Sequence, residues 1–229
     1  MNPKTRLLLM GGLTCGALLL SACGGDDNDN HRRFQVSVTN LTNNQPLSPP
    51  LLAVHSDDVQ TWRIGEPASE GLELLAESGD GSLLSDELTA ARANVRLGDA
   101  VLPPGASETF AVRSNTRNGF NLTVATMLVN TNDAFTGVNS ADLSSLERGE
   151  SITLFARAYD AGTEANTEDA ATVPGPAGGG EGYNEAREVA DFVSLHSGVV
   201  TQADGLTASA LDESHRFDNP VVRLTVTRR

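Results

Sequence analysis

Five segments spread along the chain alternate apolar with polar residues, and this pattern constrains the fold more than any other sequence feature. In residues 33–41 it places Phe34, Val36 and Val38 on one face of an extended chain. The other segments are residues 109–113, 121–129, 151–159 and 221–227, and clusters of Gly, Pro, Asn and Asp separate them. The sequence therefore predicts an all-β fold, a C2-like antiparallel β-sandwich that needs its last strand for closure.

Few segments favour a helix. Residues 69–77 start with a serine suited to cap a helix and carry a short apolar stripe, and the following Gly79 stops it. Residues 140–146 could add one or two turns. Residues 184–192 could also be helical, although residues 192–195 fit a strand equally well. We therefore expect one to three short helices in the connections between strands.

The N-terminal segment has the layout of an export signal. Lys4 and Arg6 precede an apolar run over residues 7–20, which is too short to span a bilayer as a helix. The run ends in small residues before Cys23, and this resembles the lipobox of bacterial lipoproteins. The resemblance implies cleavage after residue 22, diacylglycerol on the Cys23 thiol and an amide-linked third acyl chain such as palmitate. An ordinary cleaved signal with an incidental cysteine is the alternative.

The residues after Cys23 predict how the domain is held at the membrane. Residues 23–32 are mostly polar and read as a flexible tether. By resemblance to known sorting patterns, Gly24 favours the outer membrane, with either the periplasmic or the outer side exposed. Several acyl chains make a durable anchor, because each buried methylene contributes about 0.8 kcal/mol. We therefore expect a membrane partner through the lipid anchor.

Charge and cysteine content limit what the mature chain can do. Removing residues 1–22 takes away two of the 16 basic residues and none of the 30 acidic ones, so the net charge changes from −14 to −16. A surface this acidic repels phosphate backbones, which excludes nucleic acid as an expected partner. The two cysteines are Cys15, which leaves with the signal, and Cys23, so no disulfide is expected. Residues 33–229 are enough for a single domain with one large core.

A set of short stretches, in order along the chain, resembles one known family. These stretches are residues 34–42, 45–50, 65–80, 102–107, 125–137, 159–164 and 219–226. Together they are similar to the spondin domain, which occurs in animal extracellular proteins and as free-standing bacterial proteins. The resemblance implies an antiparallel β-sandwich with calcium at one end, acting in adhesion or matrix binding. Animal members carry cysteines that this chain lacks, so their disulfide framework is absent here.

Three acidic residues follow two of the predicted strands. Asp133 comes after the strand at 121–129, and Asp160 and Glu164 come after the strand at 151–159. If both strands run the same way, their ends meet at one end of the sandwich. Gly162 permits a tight turn that lets two carboxylates four residues apart face one hard cation such as Ca²⁺. The resemblance to the spondin family implies that Asp133, Asp160 and Glu164 bind calcium. The alternative is that this spacing arises by chance in a chain rich in acidic residues.

Histidine and tryptophan give weaker signals. His55 and His196 stand beside apolar runs and are expected in packing or turns rather than as ligands, whereas His31 and His215 have polar neighbours and are expected on the surface. Trp62 is expected to anchor the core or its rim rather than to bind carbohydrate.

No catalytic motif stands out in the sequence. It contains no Gly-x-Ser-x-Gly, no His-Glu-x-x-His and no phosphate-binding loop. The leading interpretation is a non-enzymatic, calcium-stabilised binding or adhesion module of the cell envelope, whose partner is an envelope or extracellular protein or polysaccharide. An envelope hydrolase or its accessory subunit is the first alternative, since a Ser/His/Asp set is defined by space rather than by order. A purely structural envelope protein is the second.

Overall fold

The computed structural model describes residues 31–115, 119–186 and 191–229, and most of its regular structure is β-strand. The strands are β1 (His31–Asn40), β2 (Leu51–His55), β3 (Asn94–Leu97), β4 (Ser107–Asn115), β5 (Asn121–Met127), β6 (Ala134–Asp142), β7 (Ser151–Asp160), β8 (Ser194–Leu195) and β9 (Val222–Arg228). The helices are α1 (Glu70–Ser78) and α2 (Ser82–Ala90), with 3₁₀ turns at Gln202–Asp204 and Glu213–His215. The prediction of an all-β fold with few helices is confirmed.

The strands pair in the order β3-β2-β5-β6-β7-β9-β1-β4, with β8 added to β7. Every strand pair is antiparallel. Residues 151–156 of β7 pair with β9, whereas residues 157–160 pair with β6, so β7 passes from one layer to the other. We call β4, β1, β9 and the first part of β7 the front layer. The back layer is β3, β2, β5, β6, β8 and the rest of β7.

The main core lies between the two layers. Phe34, Val36 and Val38 of β1 point into it and are at most 1% exposed, as the alternation in this segment predicts. Leu224 and Val226 of β9 join them. Because β9 lies between β1 and β7, the last strand of the chain fills the middle of the front layer.

A second apolar cluster covers the outside of the back layer. Leu72 and Leu75 of α1 and Leu84 of α2 pack there with residues of β2 and β5. The central strands of the back layer are therefore buried on both faces. All five residues of β2 are buried, and four of them are apolar. The sequence of β2 therefore shows no alternation of apolar and polar residues. The sequence reading missed β2 for this reason.

The first helix begins and ends where its sequence predicts. The Ser69 Oγ accepts a hydrogen bond from the Leu72 N–H at 3.2 Å, and Gly79 adopts a left-handed conformation with φ of 76°. Helix α2 was not predicted, and its start has no side-chain cap at Gly81 to mark it. Among the described residues, no helix is long and apolar enough to cross a membrane.

Other sequence predictions need correction or cannot be compared. Residues 140–146 are not helical, because β6 continues to Asp142 and a turn follows. Within residues 184–195, the described part contains the short strand β8 and no helix. The predicted signal segment, Cys23 and most of the tether at 23–32 lie outside the described residues.

Candidate functional site

The ends of β5 and β7 meet at one end of the back layer. Strand β6 lies between them and is antiparallel to both, so β5 and β7 run in the same direction, as the sequence argument required. Asp133 stands in the turn just before β6, and Asp160 is the last residue of β7. Ala134 pairs directly with Asp160. The two aspartates predicted to bind metal are therefore neighbours in the fold.

The Asp133 carboxylate is buried and only half satisfied. Its Oδ2 atom accepts hydrogen bonds from the backbone N–H of Thr163 at 2.9 Å and of Glu164 at 3.2 Å. Its Oδ1 atom is buried and has no hydrogen-bond partner. The whole residue is 0% exposed. A buried carboxylate oxygen without a partner is costly, since it loses hydration and gains nothing in exchange.

Both oxygens of the Asp160 carboxylate accept hydrogen bonds from the residues that directly follow β7. Oδ1 accepts from the Gly162 N–H at 2.8 Å, and Oδ2 accepts from the Asn166 side-chain amide at 2.6 Å. Gly162 has φ of 72°, and a Cβ at this position would lie 2.3 Å from the carbonyl oxygen of Phe192. Only glycine fits both conditions, so the predicted tight turn is present. Its effect is to bring the backbone of Thr163 and Glu164 onto Asp133.

A further buried glutamate, which the sequence reading missed, lies near these residues. Glu77, in the last turn of α1, is 0% exposed, and its Oε2 accepts from the Asn184 N–H at 2.9 Å. Its charge raises the pKa of both Asp133 and Glu164. The sequence signal was available, because Glu73 and Glu77 are four apart and interleaved with the apolar stripe of α1. We call Glu77, Asp133, Asp160 and Glu164 the acidic tip.

Burial and neighbouring charges raise the pKa values of two carboxyl groups of the acidic tip. Burial raises the pKa of Asp133 to about 7, helped by the charge of Asp160 and opposed by the N–H groups of Glu164 and Thr163. Burial also raises the pKa of Glu164 to about 7, and the neighbouring charge of Glu77 adds to this. Negative charge in a desolvated place is unfavourable unless a proton or a cation neutralises it.

The donor atoms of the acidic tip are all oxygens, which suits hard cations such as Ca²⁺. The structure brings Asp133 and Glu164 together and leaves the Asp160 carboxylate facing its own turn. Within residues 31–115, 119–186 and 191–229, no three Asp, Glu, His or Cys side chains stand together with the geometry of a metal site. The residues therefore supply the chemistry for calcium, and side-chain rotations would have to complete a ligand shell.

The histidines mostly occupy the places expected of packing and turn residues. His55 is buried and contacts the Thr123 hydroxyl at 2.7 Å. His196 is 6% exposed and its Nδ1 accepts from the Gly198 N–H at 2.9 Å. The expectation of an exposed His215 is wrong, because its ring is held against Asp212 and is 8% exposed. The side chain of His31 lies outside the described set.

Trp62 is a core residue, as expected. It is 6% exposed, and its ring packs edge-on against Phe135 at a centroid distance of 5.1 Å. The Tyr159 ring lies 5.5 Å away on the same cluster. An exposed tryptophan platform for sugars is therefore not present at this position.

The geometry of a serine hydrolase is missing from the part of the chain that the structure describes. No serine hydroxyl there is hydrogen-bonded to a histidine ring, which is the contact that activates the nucleophile. Ser214 and His215 are neighbours, but the Ser214 hydroxyl donates to Asp212 at 2.5 Å instead.

The fold and the site together define an antiparallel β-sandwich protein with carboxylates at the ends of two parallel-running strands. The Spondin_N family profile matches residues 40–174, which is more than half of the 229 residues. The chain therefore belongs to the Spondin_N family. All four residues of the acidic tip lie inside the matched range.

A similar protein is human Spondin-2. The two chains are 32% identical over 132 residues, which covers 53% of this chain. The same alignment covers 40% of Spondin-2, so this chain spans less than half of its relative's length.

Proposed function

We propose that this chain is a lipid-anchored binding module of the bacterial cell envelope whose acidic tip holds Ca²⁺. The observation that carries the calcium proposal is the Oδ1 atom of Asp133, a buried carboxylate oxygen without a hydrogen-bond partner in a place crowded with negative charge. The Glu164 N–H donates to the other carboxylate oxygen of Asp133, and the charge of Asp133 also raises the pKa of the Glu164 carboxyl. A divalent cation would satisfy the orphan oxygen and the surplus charge together.

Asp133 and Glu164 would be the primary ligands, with Asp160 as the third member of the set. Asp160 would contribute either directly or by holding the turn through Gly162. Glu77 adds negative charge to the same region. Bound calcium would join the β5–β6 turn to the segment after β7, and it would stabilise the folded state by preferential binding.

Thermal unfolding tests the calcium proposal. We expect excess Ca²⁺ to raise Tm relative to a chelator by several degrees, because ligand at 100 times its Kd contributes about 2.7 kcal/mol. Asp133→Asn should remove this calcium-dependent rise and should raise Tm in chelator, since the buried charge is gone. Asp86→Asn, at an exposed position of α2, is the matched control and should keep the full calcium response. Equal Tm values for the wild type in calcium and chelator would contradict the proposal.

The lipid anchor is supported by the residues around Cys23. A basic start, an apolar run and small residues before the cysteine form the pattern of a lipoprotein signal. We expect Cys23→Ser to abolish incorporation of labelled palmitate and to release the protein from the membrane fraction. Cys15→Ser is the matched control and should change neither. Labelling of the Cys23→Ser variant at the wild-type level would exclude acylation at this residue.

The partner of the module would be an envelope or extracellular protein or polysaccharide. Loops at the strand ends are the usual place for binding in a sandwich, because a rigid scaffold positions them. Capture from an envelope extract in calcium, compared with chelator, would show whether the acidic tip takes part. We expect a retained component that is lost in chelator and lost with Asp133→Asn.

A further inference from the structure

The front layer turns one face to the core and the other outward. The outward positions alternate with buried or partly buried residues on every strand. They are Arg33, Gln35, Ser37 and Thr39 of β1, Ser107, Thr109, Ala111 and Arg113 of β4, Ser151, Thr153 and Phe155 of β7, and Arg223, Thr225, Thr227 and Arg229 along β9 and just after it. Arg157 continues this set just past the point where β7 leaves the front layer, and it borders the same groove as Phe155. We call these residues the arginine face.

The charge of the arginine face is opposite to that of the whole chain. It carries five arginines and no acidic residue, whereas the chain has 30 acidic and 16 basic residues. All five arginines are exposed, and none forms a salt bridge with a described residue. Glu108 of β4 pairs with the inward-facing Val38 and therefore lies on the opposite face of the layer. An uncompensated cationic surface on an acidic protein favours contact with an anionic partner.

Three of the arginines are crowded at one end of the face. Arg33 and Arg113 are direct partners across the β1–β4 ladder, and the Arg229 N–H bonds the Arg33 carbonyl at 2.8 Å. Like charges opposite one another destabilise a sheet. They border a groove of about 370 Å³. An anion in this groove would relieve the repulsion, and the planar guanidinium is well matched to phosphate oxygens.

The other end of the face adds an exposed aromatic ring. Phe155 is 59% exposed and pairs across the ladder with Arg223. Arg157 lies two residues further along β7, beside a groove of about 620 Å³ that Phe155 also borders. An aromatic side chain between cationic ones is suited to the interface of a bilayer, where the ring enters the headgroup layer and the charges meet phosphates.

We propose that the arginine face docks on a membrane surface of anionic phospholipid headgroups, and this rests on the lipid anchor of the proposed function. Strand β1 starts at the end of the face where the three arginines gather. Seven residues separate Cys23 from His31, and even when fully extended they reach no more than about 28 Å. The rest of the acidic chain is repelled by such a membrane, so the arginine face is the one that turns toward it.

Docking in this orientation has a consequence for binding. Strands β1 and β7 run in the same direction, because both are antiparallel to β9 between them. The acidic tip at the end of β7 is therefore at the far end of the sandwich from the tether. A face lying on the bilayer leaves both the acidic tip and the helices of the back layer accessible to a partner.

Vesicle sedimentation tests the docking without the anchor. The chain without residues 1–22 and with Cys23→Ser contains every described strand and helix and no acyl chain. In chelator, we expect it to bind vesicles of phosphatidylethanolamine with phosphatidylglycerol, to bind phosphatidylcholine vesicles much less, and to dissociate as salt is raised. Arg113→Gln with Arg223→Gln should weaken binding on the order of tenfold or more, since each arginine near an anionic surface contributes about a factor of five.

A charge-matched variant controls for net charge. Arg63→Gln with Arg96→Gln removes two exposed arginines outside the arginine face and changes the net charge by the same amount. This variant should bind vesicles within about twofold of the parent protein. Phe155→Ala should weaken binding without changing its salt dependence. Equal loss in both double variants, equal binding to both vesicle types, or binding to dextran sulfate with none to vesicles would each overturn the proposal. The assay contains neither acyl chains nor calcium. A lack of vesicle binding would therefore contradict the docking proposal without affecting the palmitate-labelling or calcium-melting tests of the proposed function.

Discussion

Glu168 shows how one buried side chain links stability to pH. It is 1% exposed, it has a left-handed backbone with φ of 55°, and its Oε1 accepts from the Val200 N–H at 3.1 Å. Burial raises the pKa of its carboxyl from 4.5 to about 7. The folded chain therefore binds this proton more tightly than the unfolded chain. Stability from this group is full below the unfolded pKa and is lost as pH rises through the folded pKa.

We predict that Glu168→Gln removes this pH dependence. The glutamine keeps an oxygen for the Val200 N–H and carries no charge, so the variant should match the wild type near pH 5 and exceed its Tm by a few degrees at pH 8. Thermal melts of both proteins in chelator across this range measure the difference. Glu213→Gln, at an exposed position, is the control and should parallel the wild type. A constant difference between Glu168→Gln and the wild type would contradict the assignment.

At the scale of secondary-structure elements, the two helices approach each other closely. A Cβ on Gly71 of α1 would lie 2.6 Å from the backbone nitrogen of Leu84 in α2. The Gly71 N–H donates to the Glu87 Oε1 atom at 2.8 Å, and the Ser69 hydroxyl donates to Oε2 at 2.7 Å. The side chain of Glu87 thus joins the start of α1 to α2, and a glycine is needed for the helices to approach.

We expect Gly71→Ala to destabilise the protein. Helix propensity favours alanine by about 1 kcal/mol, but overpacking against backbone typically costs 1–3 kcal/mol, so a net loss of about 1–2 kcal/mol should follow. Urea unfolding monitored by the fluorescence of Trp62, which packs in the same cluster, measures it. Ser82→Ala, an exposed change in α2, should stay within about 0.5 kcal/mol. An unchanged or raised free energy of unfolding for Gly71→Ala would show that the helices can separate without loss.

At the scale of the whole molecule, β9 connects strands that are far apart in sequence. It pairs with β1 on one side and with β7 on the other. Leu224 is 0% exposed in the main core, whereas the next residue, Thr225, points outward on the arginine face. The segment closest to the C-terminus is therefore a central part of the front layer.

We predict that Leu224→Ala lowers the free energy of unfolding by about 2–5 kcal/mol, as expected for a cavity at a fully buried leucine. Thr225→Ala, one residue along the same strand, should cost no more than about 0.5 kcal/mol. Chemical unfolding of both variants provides the comparison. A similar small loss for the two would mean that β9 adds little to the core.

The contrast between a buried residue and its outward-facing neighbour, as at Leu224 and Thr225, explains which strand predictions succeeded. Strands with one face in the core and one outward carry a period of two, so β1, β4, β7 and β9 were predicted within a few residues. Strand β5 was predicted as well, although nearly all of its residues are buried. Strand β6 was missed, and its last residues were instead predicted to form a helical turn. Strand β2 was missed because it is buried on both faces. Local patterns report the environment of a strand, and these two strands lie in environments without a simple period.

For the acidic tip, the sequence by itself determined that acidic residues follow two predicted strands and that Gly162 can turn the chain there. The common direction of these strands follows from the pairing of both with β6. Tertiary structure alone decided that Glu77 from a helix far away in sequence joins them, and that one oxygen of Asp133 is left without a partner. Likewise, the sequence showed how many arginines the chain has, and only the pairing of four strands placed five of them on one face. Alternation along a strand is a local property, whereas the meeting of distant side chains depends on register and layer packing, which no single segment encodes.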